Sequence, residues 1–173
     1  MDHGKIGRRS FLAATALLSA AAPRLDQARE LREQQLEGIY TIMQTPFRES
    51  LEIDEESLRR ECDFLVRCRV NGMVWPAGAG ETTSLSHSER LRFSKVIVDE
   101  VRGRAPVFIG VHGANKFEAM EYARYADKIG ADGLHAMGPS DNCSDPQMLA
   151  EYFTAIASVS KLPLSIQEST PGM

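Results

Sequence analysis

Nowhere in the 173 residues is there a C-x-x-C pair, an H-x-x-x-H pair or a G-x-G-x-x-G run. The first absence removes paired-cysteine zinc sites. The second leaves no helix-borne metal pair, and the third weighs against a dinucleotide-binding sheet. Lysine and arginine form no cluster beyond the N-terminus and the net charge is -4, so the footprint of a nucleic-acid binder is missing. A mildly acidic surface reads as solubility. The apolar run Phe11 to Ala22 is too short to span a bilayer stably. Cysteine is scarce and odd in number: Cys62, Cys68 and Cys143. Cys62 and Cys68 fall six apart on a predicted helix and face different ways, so no disulfide is expected and all three read as small packing residues.

What is present fits a globular chain. The hydrophobic fraction is 43% and the charged fraction 25%, ordinary values for one domain with a core. Residues 1–22 stand apart. "GKIGRRSFLAATALLSAAAP" has a basic head, an apolar stretch, and small residues at Ala20 and Ala22 suited to A-x-A cleavage. Arg8 and Arg9, just ahead of Ser10, Phe11 and Leu12, resemble a twin-arginine export signal. The expected location is periplasmic or extracellular, with a cytoplasmic protein as the alternative. Residues 23–37 read as a polar linker or surface helix.

From Gly38 onward, strand-like and helix-like stretches alternate. Strands are expected at 38–47, 72–78, 105–111, 131–139 and 162–170. Helices are expected from Asp54 to about Val70, from Ser86 to about Arg102, from Asn115 to Gly130 and from Asp145 to about Lys161. Ser86-x-x-Glu89 is a capping box, and Asp145-Pro146 is an N-cap with Pro at N1. Short continuous apolar strands imply burial on both faces and a parallel sheet. The pattern alone admits an open doubly wound sheet or a (β/α)8 barrel. Both place functional residues at the C-terminal ends of strands.

Those ends supply Thr45, Pro46 and Phe47; Gly78, Ala79, Gly80 and Glu81; His112, Gly113 and Asn115; Pro139, Ser140 and Asp141; and Gln167, Glu168, Ser169 and Thr170. Glycines after the second strand let backbone N–H groups approach a carboxylate or phosphate. Glu81 reads as a loop-holding residue, and His112 as a hydrogen-bonded one near the site. No metal is expected.

"TPF" at 45–47, "GAGETTSLSHSER", "PVFIGVHGANKFEAMEYARYADKIGADG" and "LAEYFTAIASVSKLPL" together resemble the dihydrodipicolinate synthase / N-acetylneuraminate lyase family from about Gly38 to the C-terminus. The resemblance implies a (β/α)8 TIM barrel, of which residues 38–173 supply about the first five strands and four helices. It implies a lyase of the aldolase type, acting on pyruvate or a related 2-keto acid through a lysine Schiff base. No cofactor is expected, and homo-oligomers are.

The departures from that pattern are specific. The family's loop, Gly-(Thr/Ser)-Thr-Gly-Glu, here reads Ala77-Gly78-Ala79-Gly80-Glu81, without either hydroxyl. Pro139-Ser140-Asp141 stands where the family has a proton-shuttling Pro-Tyr-Tyr, which leaves Asp141 as the candidate catalytic acid. Cys143 stands where several members carry a substrate-binding arginine, and Gln167-Glu168 where a Tyr-Asn pair is usual. The Schiff-base lysine belongs on a sixth strand, and none of Lys5, Lys95, Lys116, Lys128 and Lys161 takes its place. Thr45, Gly78, Ala79 and Gly80 are the expected substrate-binding residues. The expected function is that of an aldolase-type lyase if a longer chain supplies the lysine. The alternative is a non-catalytic exported protein that binds a small acid or a partner, or a truncated fragment.

Overall fold

Asp54 begins the first helix because its carboxylate accepts from the Ser57 backbone N–H, filling one of the orphan donors of the first turn. In the computed structural model, residues 37–139 and 145–167 are described. The expected signal (1–22) and nearly all of the linker (23–37) lie outside them. So do Ser140, Asp141, Cys143, Glu168, Ser169 and Thr170.

Five strands alternate with four helices: β1 Tyr40–Ile42, α1 Glu55–Arg67, β2 Gly72–Trp75, α2 His87–Val101, β3 Val107–Gly110, α3 Lys116–Ile129, β4 Gly133–Ala136, α4 Pro146–Ala157 and β5 Leu164–Ile166. The strands form one sheet in the order β1-β2-β3-β4-β5, every neighbouring pair parallel. Sequential parallel order is that of a half barrel, and it excludes the doubly wound alternative, in which strand order reverses at a switch point.

The caps act as the residues dictate. Ser86 and Glu89 make the reciprocal capping box. Asn115 accepts from Phe117 and Glu118, while the Glu118 carboxylate reaches back to the Ala114 N–H rather than to Asn115. Asp145 caps α4, with Pro146 at its first position, and α3 closes on Gly130 at φ 82°. Each strand is shorter than its apolar run, and flanking residues such as Met43, Val111 and Gln167 add single bonds to the neighbouring strand. After β1 the chain makes a small excursion in which Phe47 bridges Ile53 in antiparallel fashion. No apolar pattern foretold this.

Strand alternation divides the core in two. Met73, Trp75, Val107, Ile109, Leu134 and Ala136 pack outward against the helices, joining Leu58, Cys62, Phe93, Ile97, Ala123 and Ile156. Val74 and Phe108 point to the other face, with Tyr40 and Ile42 beside them. On this inner face large and small residues interlock. A Cβ at Gly72 would fall 2.3 Å from the Tyr40 ring, and one at Gly133 equally close to the Phe108 ring.

Cys62 is buried in the core, and burial pushes its thiol up to about 12, so it packs as a hydrophobe. Cys68 corrects the expectation of three packing cysteines. It is exposed, and it follows α1 as the C-cap, donating its N–H to Phe64 and Val66 carbonyls. Among the described residues no helix is long and apolar enough to cross a membrane.

Candidate functional site

The loop after β2 is built by two hydroxyls that the chain turns inward. Thr45, which follows β1, is buried and donates its hydroxyl proton to the Gly80 carbonyl at 2.6 Å. The Trp75 indole N–H donates to the same hydroxyl at 3.0 Å. Thr82, also buried, donates to the Ala77 carbonyl at 2.6 Å. Between these two pins, Gly78–Gly80 and Thr82–Ser84 form successive 3-10 turns, joined at Glu81 with φ 62°.

Gly80 must lack a side chain, since a Cβ there would lie 2.7 Å from the Met43 carbonyl. Its N–H bonds to the Ala77 carbonyl. Gly78 and Ala79 are exposed, and their N–H groups precede the first internal bond of the turn and take no acceptor within it. The Glu81 carboxylate is exposed and accepts from the Ser84 hydroxyl at 3.4 Å.

The end of β3 is held by a buried arginine. Arg90, on α2, is 6% exposed. It donates to the Gly110 carbonyl at 2.8 Å and to the His112 carbonyl at 2.9 Å. Its guanidinium carbon lies 3.8 Å from the centre of the Tyr122 ring, a cation–π distance. Tyr122 in turn donates to Glu118 at 3.1 Å. Tyr152, on α4, accepts from the Gly113 N–H at 2.9 Å. Burial pushes both phenols above their ordinary range.

His112 and His135 lie on the inner face. Val111 belongs to the outer core and its N–H bonds to the His135 carbonyl, which carries the β3 ladder one residue further. His112 therefore points the opposite way, as does His135 between Leu134 and Ala136. The His135 Nε2 pairs with Gln167 Oε1 at 3.1 Å, which joins the ends of β4 and β5. Burial lowers the His135 pKa against the raising effect of that bond. Burial, the Arg90 charge and His135 together pull His112 down to about 3, so at neutral pH it is an uncharged imidazole.

The expected site residues thus divide. Gly78, Ala79, Gly80 and Glu81 form one loop, Thr45 lies under it, and His112 stands on the neighbouring strand end. Asp141 lies outside the described residues. Among the described residues no three His, Cys, Asp or Glu side chains gather in a way that could hold a metal. Arg90 and His135 were missed at the sequence level. Arg90 carries a signal, because it shares the spacing of Phe93, Ile97 and Val101 on the buried face of α2. His135 is the polar residue of the otherwise apolar β4.

The described lysines are all exposed, and Lys116, at the start of α3, is the one nearest this end of the sheet. Lys95 pairs with Asp99 along α2, Lys116 and Lys128 belong to α3, and Lys161 precedes β5 at the opposite end of the sheet.

Comparison with known proteins agrees with this geometry. Residues 35–169 match the Dihydrodipicolinate synthetase family. A 4-hydroxy-tetrahydrodipicolinate synthase of Methanopyrus kandleri is 37% identical over 132 residues, which is 75% of this chain and 44% of that protein. The solved 4-hydroxy-tetrahydrodipicolinate synthase of Methylacidiphilum fumariolicum superposes with a TM-score of 0.72 at 29% identity, covering 76% of this chain and 44% of that one. A prophage protein of the dihydrodipicolinic acid synthase family from E. coli, solved in complex with pyruvate, gives 0.73 at 28% identity, covering 77% and 45%. The chain therefore spans less than half the length of these relatives. The match covers most of the chain and runs through all five strands of the half barrel, so this chain belongs to the dihydrodipicolinate synthetase family.

Proposed function

We propose that this chain is the keto-acid-binding half of an aldolase-type lyase barrel. It receives the carboxylate of pyruvate or a related 2-keto acid on the loop Gly78-Ala79-Gly80, and Thr45 serves the ligand by holding that loop. The observation that carries this reading is the pinned 3-10 turn at the end of β2, in which Gly78 and Ala79 are exposed residues whose N–H groups have no acceptor within the turn. Two N–H donors can bind a carboxylate, with fewer bonds than a loop that adds side-chain hydroxyls. Glu81 keeps a structural role, and Asp141 is the proposed catalytic acid.

Schiff-base formation needs a lysine amine beside the keto carbon, and the described lysines are all exposed on helices or before β5, with Lys116 at the start of α3 the nearest. In this reading the amine comes from polypeptide beyond the chain, and the chain alone binds without turning over. Borohydride reduction in the presence of pyruvate tests it. The expected result for the 173-residue chain is an unchanged intact mass, while a longer form carrying the remaining strands gains one reduced pyruvate adduct. An adduct on Lys95, Lys116, Lys128 or Lys161 would overturn the division of labour.

Export through the twin-arginine route belongs to the same proposal. Replacing Arg8 and Arg9 by lysine is expected to retain the protein in the cytoplasm. Equal export of the double variant would sink it.

A further inference from the structure

Both ring nitrogens of His112 are covered from solvent, and neither has a hydrogen-bond partner. A buried polar group left unpaired costs on the order of 1–3 kcal/mol, so an orphan in a native fold calls for an explanation. The neighbour of like type offers none, because His135 is already bonded through Nε2 to Gln167. The residue as a whole is of intermediate exposure, at the end of β3 where the sheet gives way to loop. The Cβ–Cγ torsion of histidine is broad, so a ligand arriving at this end of the sheet can be met by reorienting the ring.

What lies at that end is the β2 loop. A Cβ on Gly78 would stand 3.5 Å from the Met137 methyl group at the end of β4. The Gly78 position thus meets a side chain that comes from the end of β4, and His112 ends β3, the strand between β2 and β4. Neutral imidazole offers one N–H donor and one acceptor. Arg90 fixes the backbone of His112 from behind through its carbonyl, so the ring is presented from a set position.

We propose that His112 is the ligand-contacting residue that selects acids bearing oxygen on C2. With the carboxylate on the Gly78-Ala79 amides, a ring nitrogen of His112 meets the adjacent keto oxygen as donor, or a hydroxyl as donor or acceptor. The ligand class is the small 2-keto and 2-hydroxy acids, in preference to plain carboxylic acids. This inference rests on the keto-acid reading of the loop.

Calorimetric titration of the 173-residue chain with pyruvate and with propionate separates the two. Propionate keeps the carboxylate and the three carbons and lacks the C2 oxygen. The expected wild-type preference for pyruvate is on the order of tenfold, the size of one neutral hydrogen bond. His112→Gln, which retains a donor and an acceptor, should keep most of it. His112→Phe should lose it by weakening pyruvate alone, with propionate binding unchanged. The 15N imidazole resonances of wild-type His112 should shift with pyruvate and not with propionate, a readout that needs no variant to fold.

Equal wild-type affinity for the two acids, a preference that survives in His112→Phe, or resonances that stay in place would each overturn the role of His112 and leave the loop reading standing. Failure of the wild-type chain to bind either acid would remove the loop reading, and this inference with it.

Discussion

At the scale of single residues, the polar groups decide how this sheet end behaves with pH. His112 is drawn to about 3 by burial, by Arg90 and by His135, and His135 is lowered by burial. In the unfolded chain both titrate near 6.5. Between those values the unfolded state binds protons that the folded state refuses. Stability is therefore complete above about pH 6.5 and falls as pH drops toward 3. Thermal melts from pH 7.5 down to 4 should show a falling midpoint. His112→Gln, which has no titrating ring, should flatten that decline, and a wild-type slope in the variant would contradict the argument. Asp54, Glu55 and Glu89, whose carboxylates are held low chiefly by Ser57, Arg59 and Ser86 respectively, add their own loss at the acid end. The difference between wild type and variant is thus the quantity to read.

At the scale of elements, β2 and β3 meet so closely that one glycine is obligatory. A Cβ on Gly110 would lie 1.7 Å from the Pro76 carbonyl oxygen, and Arg90 holds the Gly110 carbonyl on its other side. Backbone cannot yield there as a flexible side chain would. Gly110→Ala should cost at least the ~3 kcal/mol at the upper end for overpacked cores. Gly103, just past α2, offers the contrast. Its φ is +72° and nothing stands within 4 Å of a Cβ, so Gly103→Ala should cost only about 1–2 kcal/mol, for the left-handed backbone alone. Urea unfolding of the two variants checks the pair, and similar losses would mean that β3 can move away from Pro76.

At the scale of the whole molecule, the sheet of the described residues is parallel, with β1 and β5 at its two edges. β2, β3 and β4 are buried along their full length, whereas β1 and β5 are partly exposed and pair on one side only among the described residues. Ile39 beside β1 is 72% exposed and Ile166 in β5 is 54% exposed. Unpaired strand edges with apolar side chains template pairing with other chains. The chain on its own should associate in a concentration-dependent way in sedimentation velocity, and Ile166→Lys, which charges an edge, should reduce it. A single 19.1 kDa species at every concentration would show that the edges are already covered.

Much of this was legible in the residues, and the part that was not follows a rule. Helix starts were readable because a cap is a contact between neighbours in sequence: Asp54, Ser86 with Glu89, Asn115 and Asp145 each satisfy N–H groups within three residues. The alternation of buried strands and amphipathic helices established a parallel α/β chain, and the quoted motifs pointed to the family. Strand ends were overread, since an apolar run continues past the paired residues: Met43 and Val111 are buried just beyond β1 and β3 and donate one last bond each to the neighbouring strand. The excursion from Phe47 to Ile53 was not readable, because its single bridge leaves no hydrophobic period. Three matters were decided only by the tertiary structure. The order of the strands chose a half barrel over a doubly wound sheet. The inward turn of Thr45 made it a pin under the loop, 35 residues away from the Gly80 carbonyl it holds. The charge on Arg90 was placed behind His112, and His135 beside it, by packing between α2, β3 and β4. Local chemistry acts over a few residues and is written in their order, whereas burial and electrostatic coupling depend on which distant segments meet, and only the folded chain brings those together.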